Sequence, residues 1–376
     1  MCPQTSTSPQ GGTSAGGAPC RWKARTRRSS GANESSAPAR RKSSGEVYCF
    51  DADKGHLLWR RDVPLPAGAE NVTVFDDTGW SPSTAATDGQ LVAAIFPTMD
   101  LACFDVEGKP LWSKNLGAVS NQYGHASSLL MVEGKVIVQF DQREDADRAS
   151  RSKLLAFDAA TGKKAWETAR PTEAAWSSPI LADAPGGTQL VVAGNPWAIA
   201  YRPGSGEELW RAKVLGGDGA ASPVYAAGLV LAGNTGTGLS GIRPDGRGDV
   251  TKTHVAWTIA DALGDVASPV CDGRRVYMTK TDGELGCFAI DGAKPVLLWK
   301  QQFEMPFQAS PTLAGRGIYL LAEKGTLIVF QAGAGAYKEL ARSELGEDCP
   351  ASPAFVDGRI YIRGKKNLYC IESPGK

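Results

Sequence analysis

The sequence has few of the side chains on which enzymes most often depend. Among its 376 residues there are only three histidines, His56, His125 and His254, and no two have the spacing of a metal-binding pair. The eight cysteines include no adjacent pair and no Cys-x-x-Cys, so no zinc or haem-attachment site is predicted. His-Glu-x-x-His and Gly-x-Ser-x-Gly are also missing. These absences disfavour the commonest hydrolase and metalloenzyme classes.

The chain also lacks a long apolar run and a strong net charge. No stretch of about 18 apolar residues occurs, so no membrane-spanning helix is predicted. No apolar segment typical of a signal peptide is visible near Met1. With a net charge of +1, the composition gives no reason to expect a nucleic acid or a membrane as partner, and we predict neither.

The first 46 residues differ from the rest of the chain. They hold eight basic and two acidic side chains among Ser, Gly, Ala, Thr and Pro, and they lack the apolar surface needed to fold. Three interpretations stay open: a solvated extension, a wrongly assigned start codon, or a basic tail that touches nucleic acid or an acidic surface. We therefore predict a disordered, basic, low-complexity tail over residues 1–45 and a folded domain over residues 46–376.

A repeat rich in glycine and proline runs through the rest of the chain; the whole sequence has 44 glycines and 23 prolines. Each copy begins with a Ser-Pro pair. A turn glycine and a run of β-branched residues follow this pair, which is typical of a β-hairpin. Ser128-Leu129 fills the one gap in a series spaced by 42 to 50 residues. The Ser-Pro copies are Ser81-Pro82, Ser178-Pro179, Ser222-Pro223, Ser268-Pro269, Ser310-Pro311 and Ser352-Pro353.

The second half of each copy has an aromatic strand, an acidic turn with glycine, and a tryptophan. Asp accepts backbone hydrogen bonds in such a turn, and Gly takes the positive φ that closes it. We predict that these tryptophans pack structurally between neighbouring repeats. A seventh copy is degraded at Lys338-Glu339-Leu340. The six tryptophans are Trp59, Trp112, Trp166, Trp210, Trp257 and Trp299.

Four short strands in each of seven units predict an all-β fold, a β-propeller of four-stranded blades. We expect seven blades as the chain stands, with Leu57–Arg61 completing the last blade. Val47–Phe50 would then be one strand too many. An eight-bladed intact parent would explain this surplus strand.

The pattern Ala-x-Asp-x-x-Thr-Gly-x-x-x-Trp at residues 156–166 resembles the tryptophan-docking motif of quinoprotein-like (pyrroloquinoline-quinone-like) propellers. The resemblance covers residues 46–373. That family includes quinone-dependent dehydrogenases and non-enzymatic members, such as the propeller lipoprotein of the bacterial outer-membrane barrel assembly machinery. Its enzymes typically have adjacent cysteines and Glu, Asn and Asp ligands for calcium. Because no two cysteines here are neighbours, the chain is closest in character to the non-enzymatic members, and we predict no cofactor, no metal site and no catalytic residues.

Four cysteines occupy one position of the repeat, where other copies have Ala156, Ala200 or Val329. A position that accepts these side chains is a tight, buried, apolar one. Cα atoms in adjacent blades should lie beyond the roughly 7 Å limit for a disulfide. The four cysteines are Cys49, Cys103, Cys287 and Cys370.

A binding site, if the fold has one, should lie where the first strand of each blade enters the central channel. Aromatic side chains mixed with carboxylates suit a sugar, a peptide or a cation. The other interpretation is that these loops simply need polar residues facing water. A charged insertion, Asp141–Arg151, is either solvated or a contact loop. The candidates at the channel mouth are Asp77, Trp80, Tyr123, His125, Trp176, Asp218, Asp265, Phe307, Gln308 and Asp348.

The sequence therefore predicts a monomeric, non-enzymatic scaffold for protein or peptide recognition. The resemblance implies a bacterial protein in the periplasm or another extracytoplasmic compartment. The alternative is a ligand- or cofactor-binding propeller, either a quinone-dependent dehydrogenase or a sugar binder, that uses the channel mouth. A third reading is one module of a longer protein whose activity lies elsewhere.

Overall fold

The computed structural model describes residues 22–27, 44–66, 72, 74, 79–143, 151–260 and 264–372. Within these ranges there are 31 β-strands and no helix. None of the described residues therefore belongs to a helix that could cross a membrane.

An N-terminal sheet of three antiparallel strands opens the fold. It contains β1 (Trp22–Arg27), β2 (Ser44–Asp51) and β3 (Leu57–Pro64). The first of these strands lies inside residues 1–45, and the predicted domain boundary at residue 45 stays a prediction.

Three antiparallel blades follow, and blade 3 has a fifth strand that comes from the next repeat. Blade 1 contains β4 (Ala86–Thr87), β5 (Leu91–Ile95), β6 (Asp100–Asp105) and β7 (Pro110–Asn115). Blade 2 contains β8 (Leu130–Val132), β9 (Lys135–Phe140), β10 (Lys153–Asp158) and β11 (Lys164–Ala169). Blade 3 contains β12 (Ile180–Ala184), β13 (Gly187–Gly194), β14 (Trp197–Tyr201) and β15 (Glu208–Lys213), with β19 (Gly248–Asp249) added.

The second half of the chain forms four more blades. Blade 4 contains β16 (Val224–Ala226), β17 (Leu229–Asn234), β18 (Gly238–Ile242) and β20 (Val255–Ile259). Blade 5 contains β21 (Val270–Cys271), β22 (Arg275–Thr279), β23 (Glu284–Ala289) and β24 (Val296–Gln302). Blade 6 contains β25 (Thr312–Ala314), β26 (Gly317–Leu321), β27 (Thr326–Gln331) and β28 (Glu339–Glu344). Blade 7 contains β29 (Ala354–Val356), β30 (Arg359–Arg363) and β31 (Leu368–Glu372).

The predicted all-β propeller of four-stranded blades is confirmed, with seven blades between β4 and β31. The expectation that Leu57–Arg61 completes the last blade is wrong, because β3 pairs with β2. Within the described residues, blade 7 therefore has three strands. The surplus strand Val47–Phe50 is the centre of the N-terminal sheet, which lies between blade 7 and blade 1.

A chain of serine hydrogen bonds joins the first strands of successive blades. The backbone N–H of Ser178 donates to Ser222 Oγ, the N–H of Ser222 donates to Ser268 Oγ, and the relation continues to Ser352 at 2.8–2.9 Å. Ser128 N–H likewise donates to Ser178 Oγ at 3.0 Å. The Ser-Pro pattern therefore marks a hydrogen-bonded link between neighbouring blades. The N–H of each serine donates to the next blade, and its hydroxyl accepts from the preceding blade.

The predicted position of the first copy, Ser81, is three residues too early. Thr84, not Ser81, holds the equivalent position, because its N–H donates to Ser128 Oγ at 3.0 Å and β4 begins two residues later. A threonine without a following proline gave no signal in the sequence.

We predict that Ser222→Ala lowers the free energy of unfolding by about 1 kcal/mol, because Ser178 N–H loses its acceptor. Urea denaturation measures the change. Ser343→Ala, on the exposed strand β28, is the matched control and should leave the midpoint unchanged. Equal losses of unfolding free energy in the two variants would contradict a stabilising role for this interblade hydrogen bond.

The outer-strand tryptophans lie against the glycine turn of the next blade. Trp59 Nε1 donates to Val106 O at 2.9 Å, and Trp112 Nε1 donates to Ala159 O at 2.8 Å. Trp166 and Trp299 make the same kind of bond, to Pro203 O at 3.1 Å and Ala334 O at 3.3 Å. Each of these tryptophans therefore joins two neighbouring sheets of the ring.

Two of the six predicted tryptophans have different partners. Trp210 is fully buried, and its Nε1 donates to Gln189 Oε1 in its own blade at 2.8 Å. The segment before β20 reaches back over it, so that β19 pairs in parallel with β15 at Trp210 and Arg211. Trp257 packs among apolar side chains of blades 4 and 5 and beside Gly241. The degraded copy in blade 6 has Ala341 in place of a tryptophan.

A small side chain on the third strand faces each tryptophan across the strand pair. Cys103 faces Trp112, Ala156 faces Trp166, and in blade 6 Val329 faces Ala341, which exchanges a large side chain for a smaller one. A β-bulge follows this position in every case. The bulges lie at Cys49/Phe50, Cys103/Phe104, Ala156/Phe157, Ala200/Tyr201, Gly241/Ile242, Cys287/Phe288 and Val329/Phe330.

The cysteines at this small-residue position are buried, with one exception. Cys49, Cys103 and Cys287 are buried, as expected, and all described cysteines are free thiols. Cys370 holds the same position in blade 7 but is exposed, because no described strand covers its side of β31.

We predict that Gly162→Ala destabilises the fold by about 2–4 kcal/mol. Gly162 has φ +68°, and a Cβ there would lie 2.6 Å from the Trp112 ring. Gly134→Ala is the matched control, since Gly134 also has φ +68° but nothing within 4 Å of a new Cβ. Its expected cost is about 1 kcal/mol, from the backbone alone. Thermal and urea denaturation compare the two, and an equal loss would refute the contact with Trp112.

Seven apolar clusters lie between consecutive sheets, from the N-terminal sheet and blade 1 to blades 6 and 7. A buried ion pair adds to the junction of blades 2 and 3. Arg170 Nε and Nη2 donate to Asp141 at 2.8 and 3.1 Å, and both side chains are fully buried. Although burial opposes the charge, the Asp141 carboxylate raises the pKa of Arg170, so the guanidinium stays protonated. The expectation that Asp141 belongs to a solvated loop is thus wrong; residues 144–150 of that loop lie outside the described residues.

Candidate functional site at the channel mouth

Two kinds of connection share one face of the ring. Strand direction alternates in each blade, so the loops that enter first strands lie at the same end as the turns between second and third strands. The glycine turns that receive tryptophans lie at the opposite end. The candidate residues before the first strands therefore belong to one face, which we call the channel mouth.

A cavity of roughly 220 Å³ opens at the channel mouth around Trp176. It draws residues from the loops that enter blades 2, 3 and 4, and from the turn between β9 and β10. Its lining side chains are Gln122, Arg143, Glu173, Ala174, Trp176 and Asp218.

Trp176 is the fixed element of this cavity. Its indole Nε1 donates to Gly124 O at 3.1 Å, which ties the loop entering blade 3 to the loop entering blade 2. Tyr123 packs edge-on against it, with ring centroids 4.9 Å apart. Trp176 N–H in turn donates to Gly219 O at 2.9 Å, so three connecting loops hold one aromatic pair.

Charged and polar groups of both kinds surround the aromatic pair. Gln122 Nε2 donates to Asp218 Oδ2 at 2.9 Å across the mouth. Glu173 accepts a hydrogen bond from Asn195 Nδ2 at 2.8 Å. Arg143 is positioned by its backbone, whose N–H donates to Ser120 O at 2.8 Å. The cavity thus combines an apolar wall with two carboxylates and a guanidinium.

The turn after β17 connects this cavity with the next loop. Asn234 Nδ2 donates to the backbone carbonyl of Asp218 at 2.8 Å. The neighbouring Thr235 Oγ1 donates to Asp265 Oδ1 at 3.2 Å. Asp218 and Asp265 are both exposed, so this part of the mouth presents a pair of carboxylates to solvent.

The remaining candidates do not join the cavity. Phe307 is fully buried in the core between blades 5 and 6, where its ring centroid lies 5.6 Å from that of Phe303. Its neighbour Gln308 is half-buried. Asp348 accepts hydrogen bonds from Lys365 at 2.8 Å and Lys324 at 3.1 Å. These two lysines lower the pKa of the Asp348 carboxyl.

Two candidates at the start of blade 1 and one in blade 2 complete the set. Trp80 is half-buried before β4, and Asp77 lies outside the described residues. His125 is 3% exposed, and its Nε2 has no hydrogen-bond partner among the described residues. Burial lowers the pKa of His125 to about 4, so this histidine is neutral at pH 7.

We predict an acid instability that depends on His125. The unfolded histidine titrates near 6.5, so between about pH 6.5 and 4 the unfolded state binds a proton that the folded state does not. The free energy of unfolding should fall by on the order of 2–3 kcal/mol over that window as the pH drops.

His125→Gln removes this dependence, while His56→Gln, in an exposed turn, should keep it. Urea midpoints measured between pH 7 and 4 make the comparison. A parallel loss of stability in wild type and His125→Gln would show that other groups are responsible.

The sequence predicted Tyr123, Trp176 and Asp218 at this site, and it offered Arg143 only within the possible contact loop Asp141–Arg151. It did not single out Gln122 or Glu173. Glu173 precedes Trp176 by three residues and belongs to no recurrent pattern of the repeat. Arg143 belongs to the turn after β9, and only the folded ring brings that turn beside the entering loops. Gln122 had no distinguishing pattern at all.

The fold and the docked tryptophans define a β-propeller whose blades are fastened by serine and indole hydrogen bonds. The sequence profile of the family described as outer membrane protein assembly factor BamB matches residues 43–288 and 249–338. Because these matches cover more than half of the sequence, the chain belongs to this family.

Solved structures share the fold at low sequence identity. BamB from Moraxella catarrhalis is 14% identical, with a TM-score of 0.63 over 86% of this chain and 87% of that chain. Quinohemoprotein alcohol dehydrogenase from Comamonas testosteroni is also 14% identical, with a TM-score of 0.60 over 91% of this chain and 72% of that chain. The computationally designed Ika8 protein is 13% identical, with a TM-score of 0.59 over 88% of this chain and 94% of that chain. A search of the curated proteins finds no match.

Proposed function

We propose that this protein is a non-enzymatic scaffold and that its channel mouth binds a peptide segment of a partner protein. The observation that carries the proposal is the Trp176 cavity, in which one rigid aromatic pair lies among carboxylates and a guanidinium from several blades. Rigid aromatic anchors with a polar surround are typical of protein-recognition surfaces. Membership of a family of assembly factors supports the same function.

The titratable side chains of the described residues favour binding over catalysis. Burial raises the pKa of Cys103 and Cys287 to about 12 and that of Cys271 and Cys349 to about 11, so these thiols are protonated at neutral pH and poor nucleophiles. His125 is neutral, buried and absent from the cavity lining. The cavity itself therefore contains no described nucleophile paired with a base.

The dehydrogenase alternative requires a quinone cofactor with calcium. The described residues contain no group of three or more His, Cys, Asp or Glu side chains that could hold a metal ion. Similarity to a quinohemoprotein dehydrogenase at 14% identity shows the fold alone. The dehydrogenase alternative remains testable by an absorbance spectrum after incubation with quinone and calcium.

The location of the protein is part of the proposal. The family description places its members in outer-membrane assembly, and we infer an extracytoplasmic bacterial location for this chain on that basis. The partner would then be a protein of the same compartment.

Quantitative pull-down from the native organism tests the proposal, with the full chain as bait. Asp218→Lys reverses an exposed charge and Trp176→Ala removes the aromatic anchor, and each should reduce recovery of a stoichiometric partner at least about tenfold. Leu297→Ala, at an exposed position of outer strand β24, is the control and should recover the partner as wild type does.

Circular dichroism of each bait shows whether the variant is folded, since Trp176 also fixes loops. A partner that both channel-mouth variants recover as well as wild type does would overturn the proposed site.

A further inference from the structure

The Trp176 cavity offers an open aromatic surface. Trp176 is half-buried and lines the cavity, so part of its indole ring faces the cavity. Tyr123 meets this ring at an interplanar angle of 62°, and an edge-on neighbour covers at most one face of an indole. The cavity volume of roughly 220 Å³ is close to that of one large side chain. The cavity is therefore built to hold a single side chain against an indole.

Two carboxylates give the cavity its charge. Glu173 and Asp218 both line it, and both are exposed. Asn195 Nδ2 donates to Glu173 at 2.8 Å, and Gln122 Nε2 donates to Asp218 at 2.9 Å. These amides hold the carboxylates in place without neutralising them. Because a carboxylate has about four lone-pair sites, each keeps acceptors for a further donor.

The negative charge continues along the channel mouth from blade 3 to blade 6. The two basic side chains in this part of the mouth, Arg170 and Lys280, pair with Asp141 and Glu284 inside the protein. Every other charged side chain of its described connections is an exposed carboxylate: Glu173, Asp218, Asp265, Asp282 and Glu304. The connections are loops 170–179, 214–223, 264–269 and 303–311 and turns 195–196, 235–237 and 280–283.

An arginine of this chain shows how an indole and a carboxylate together hold a guanidinium. The guanidinium carbon of Arg211 lies 5.4 Å from the ring centroid of Trp197, while its Nε and Nη2 each donate to Glu208 at 2.6 Å. A planar guanidinium stacks on aromatic rings and pairs with a carboxylate through two donors, whereas an ammonium group is a compact point charge. The Trp176 cavity presents the same two kinds of partner.

Arg143 is the one basic residue among the six that line the cavity. With Glu173 and Asp218 contributing two negative charges and Arg143 one positive charge, the lining has a net charge of −1. A bound cation would be attracted by the carboxylates and repelled by Arg143. Arg143 therefore limits the affinity for a cation, and its removal has an effect opposite in sign to removal of a carboxylate.

We propose, on the basis of the function proposed above, that the Trp176 cavity takes an arginine side chain of the partner protein. The guanidinium lies against the Trp176 indole and donates to Glu173 or Asp218, as that of Arg211 does toward Trp197 and Glu208. Further basic residues of the same segment lie along the exposed carboxylates at Asp265, Asp282 and Glu304. Complementary charge of this kind selects a basic partner segment and rejects an acidic one.

The probe is a fluorescein-labelled nonapeptide of glycine and serine that has one central arginine between two lysines. Its binding to the full chain is measured by fluorescence anisotropy. We expect saturable binding, and we expect the peptide with citrulline, a neutral isostere of arginine, to bind at least about tenfold more weakly. Binding of the arginine peptide should also weaken as the salt concentration rises, because exposed charges are screened.

Four charge-neutralising variants locate the binding site. Glu173→Gln and Asp218→Asn keep an oxygen for the amide hydrogen bond, so the loops stay in place, and each should weaken binding at least about threefold. Arg143→Gln should strengthen binding at least about threefold, because it removes the repelling cation. Glu107→Gln, at an exposed position on the opposite face, is the matched control and should bind as wild type does.

Any of four results would overturn the proposal. Three concern the probe: equal affinities for the arginine and citrulline peptides, carboxylate variants that bind as Glu107→Gln does, or weaker binding by Arg143→Gln. The fourth comes from sedimentation velocity. Self-association of the wild type that Glu173→Gln abolishes would identify a second copy of this chain as the occupant.

The pull-down described above distinguishes failure of the arginine site from failure of the proposed function. If Trp176→Ala loses the partner but Glu173→Gln and Asp218→Asn retain it at raised salt, the channel mouth binds a protein without an arginine anchor, and only the arginine site is refuted. If the arginine peptide binds as expected but no partner is recovered, the cavity still takes arginine and only the scaffold function is refuted.

Discussion

The contact between an indole ring and a glycine turn is the interaction on which the ring depends. The outer strands of the N-terminal sheet and of blades 1 and 2 each extend one tryptophan toward the next sheet, where only a residue without a side chain leaves room for the ring. The indole N–H satisfies a turn carbonyl at the same time, so burial of a large apolar surface needs no unpaired polar group. The small residue opposite the tryptophan, such as Cys103 or Ala156, leaves space for this ring.

Much of this fold could be predicted from the sequence because its rules are local and repeated. An acidic turn, a glycine and a tryptophan recur within about a dozen residues, so their roles are legible in one copy and checked by the others. The closure of the ring could not be predicted in this way. Whether Leu57–Arg61 pairs with β31 or with β2 depends on contacts between residues some three hundred positions apart, and the local pattern is the same in both cases.

The residues of the candidate site also differ in whether the local repeat pattern predicts them. Tyr123 and Trp176 stand out because they precede first strands, and their edge-on contact is a consequence of adjacent blades. Arg143 lies in a turn with no recurrent pattern, and Phe307 holds a candidate position yet turns into the core. Repeat position thus predicts which loops form a face, but the direction of each side chain depends on packing that a single sequence does not reveal.

Strand β19 lies in the repeat of blade 4 but belongs to the sheet of blade 3, and this pairing affects which junction of the ring can open first. β19 pairs with β15, and Val250 N–H donates to Arg211 O at 2.8 Å. Among the described residues, no other sheet of the ring includes a strand from the repeat of its neighbour. Arg359 Nη1 of blade 7 donates to Asp53 Oδ1 of the N-terminal sheet. The junction of blades 3 and 4 lies four junctions from this contact in either direction around the ring. The junction with shared strand pairing thus lies diametrically opposite a junction held by polar side-chain contacts. We expect local opening of the ring to begin between blade 7 and the N-terminal sheet, with blades 3 and 4 staying together.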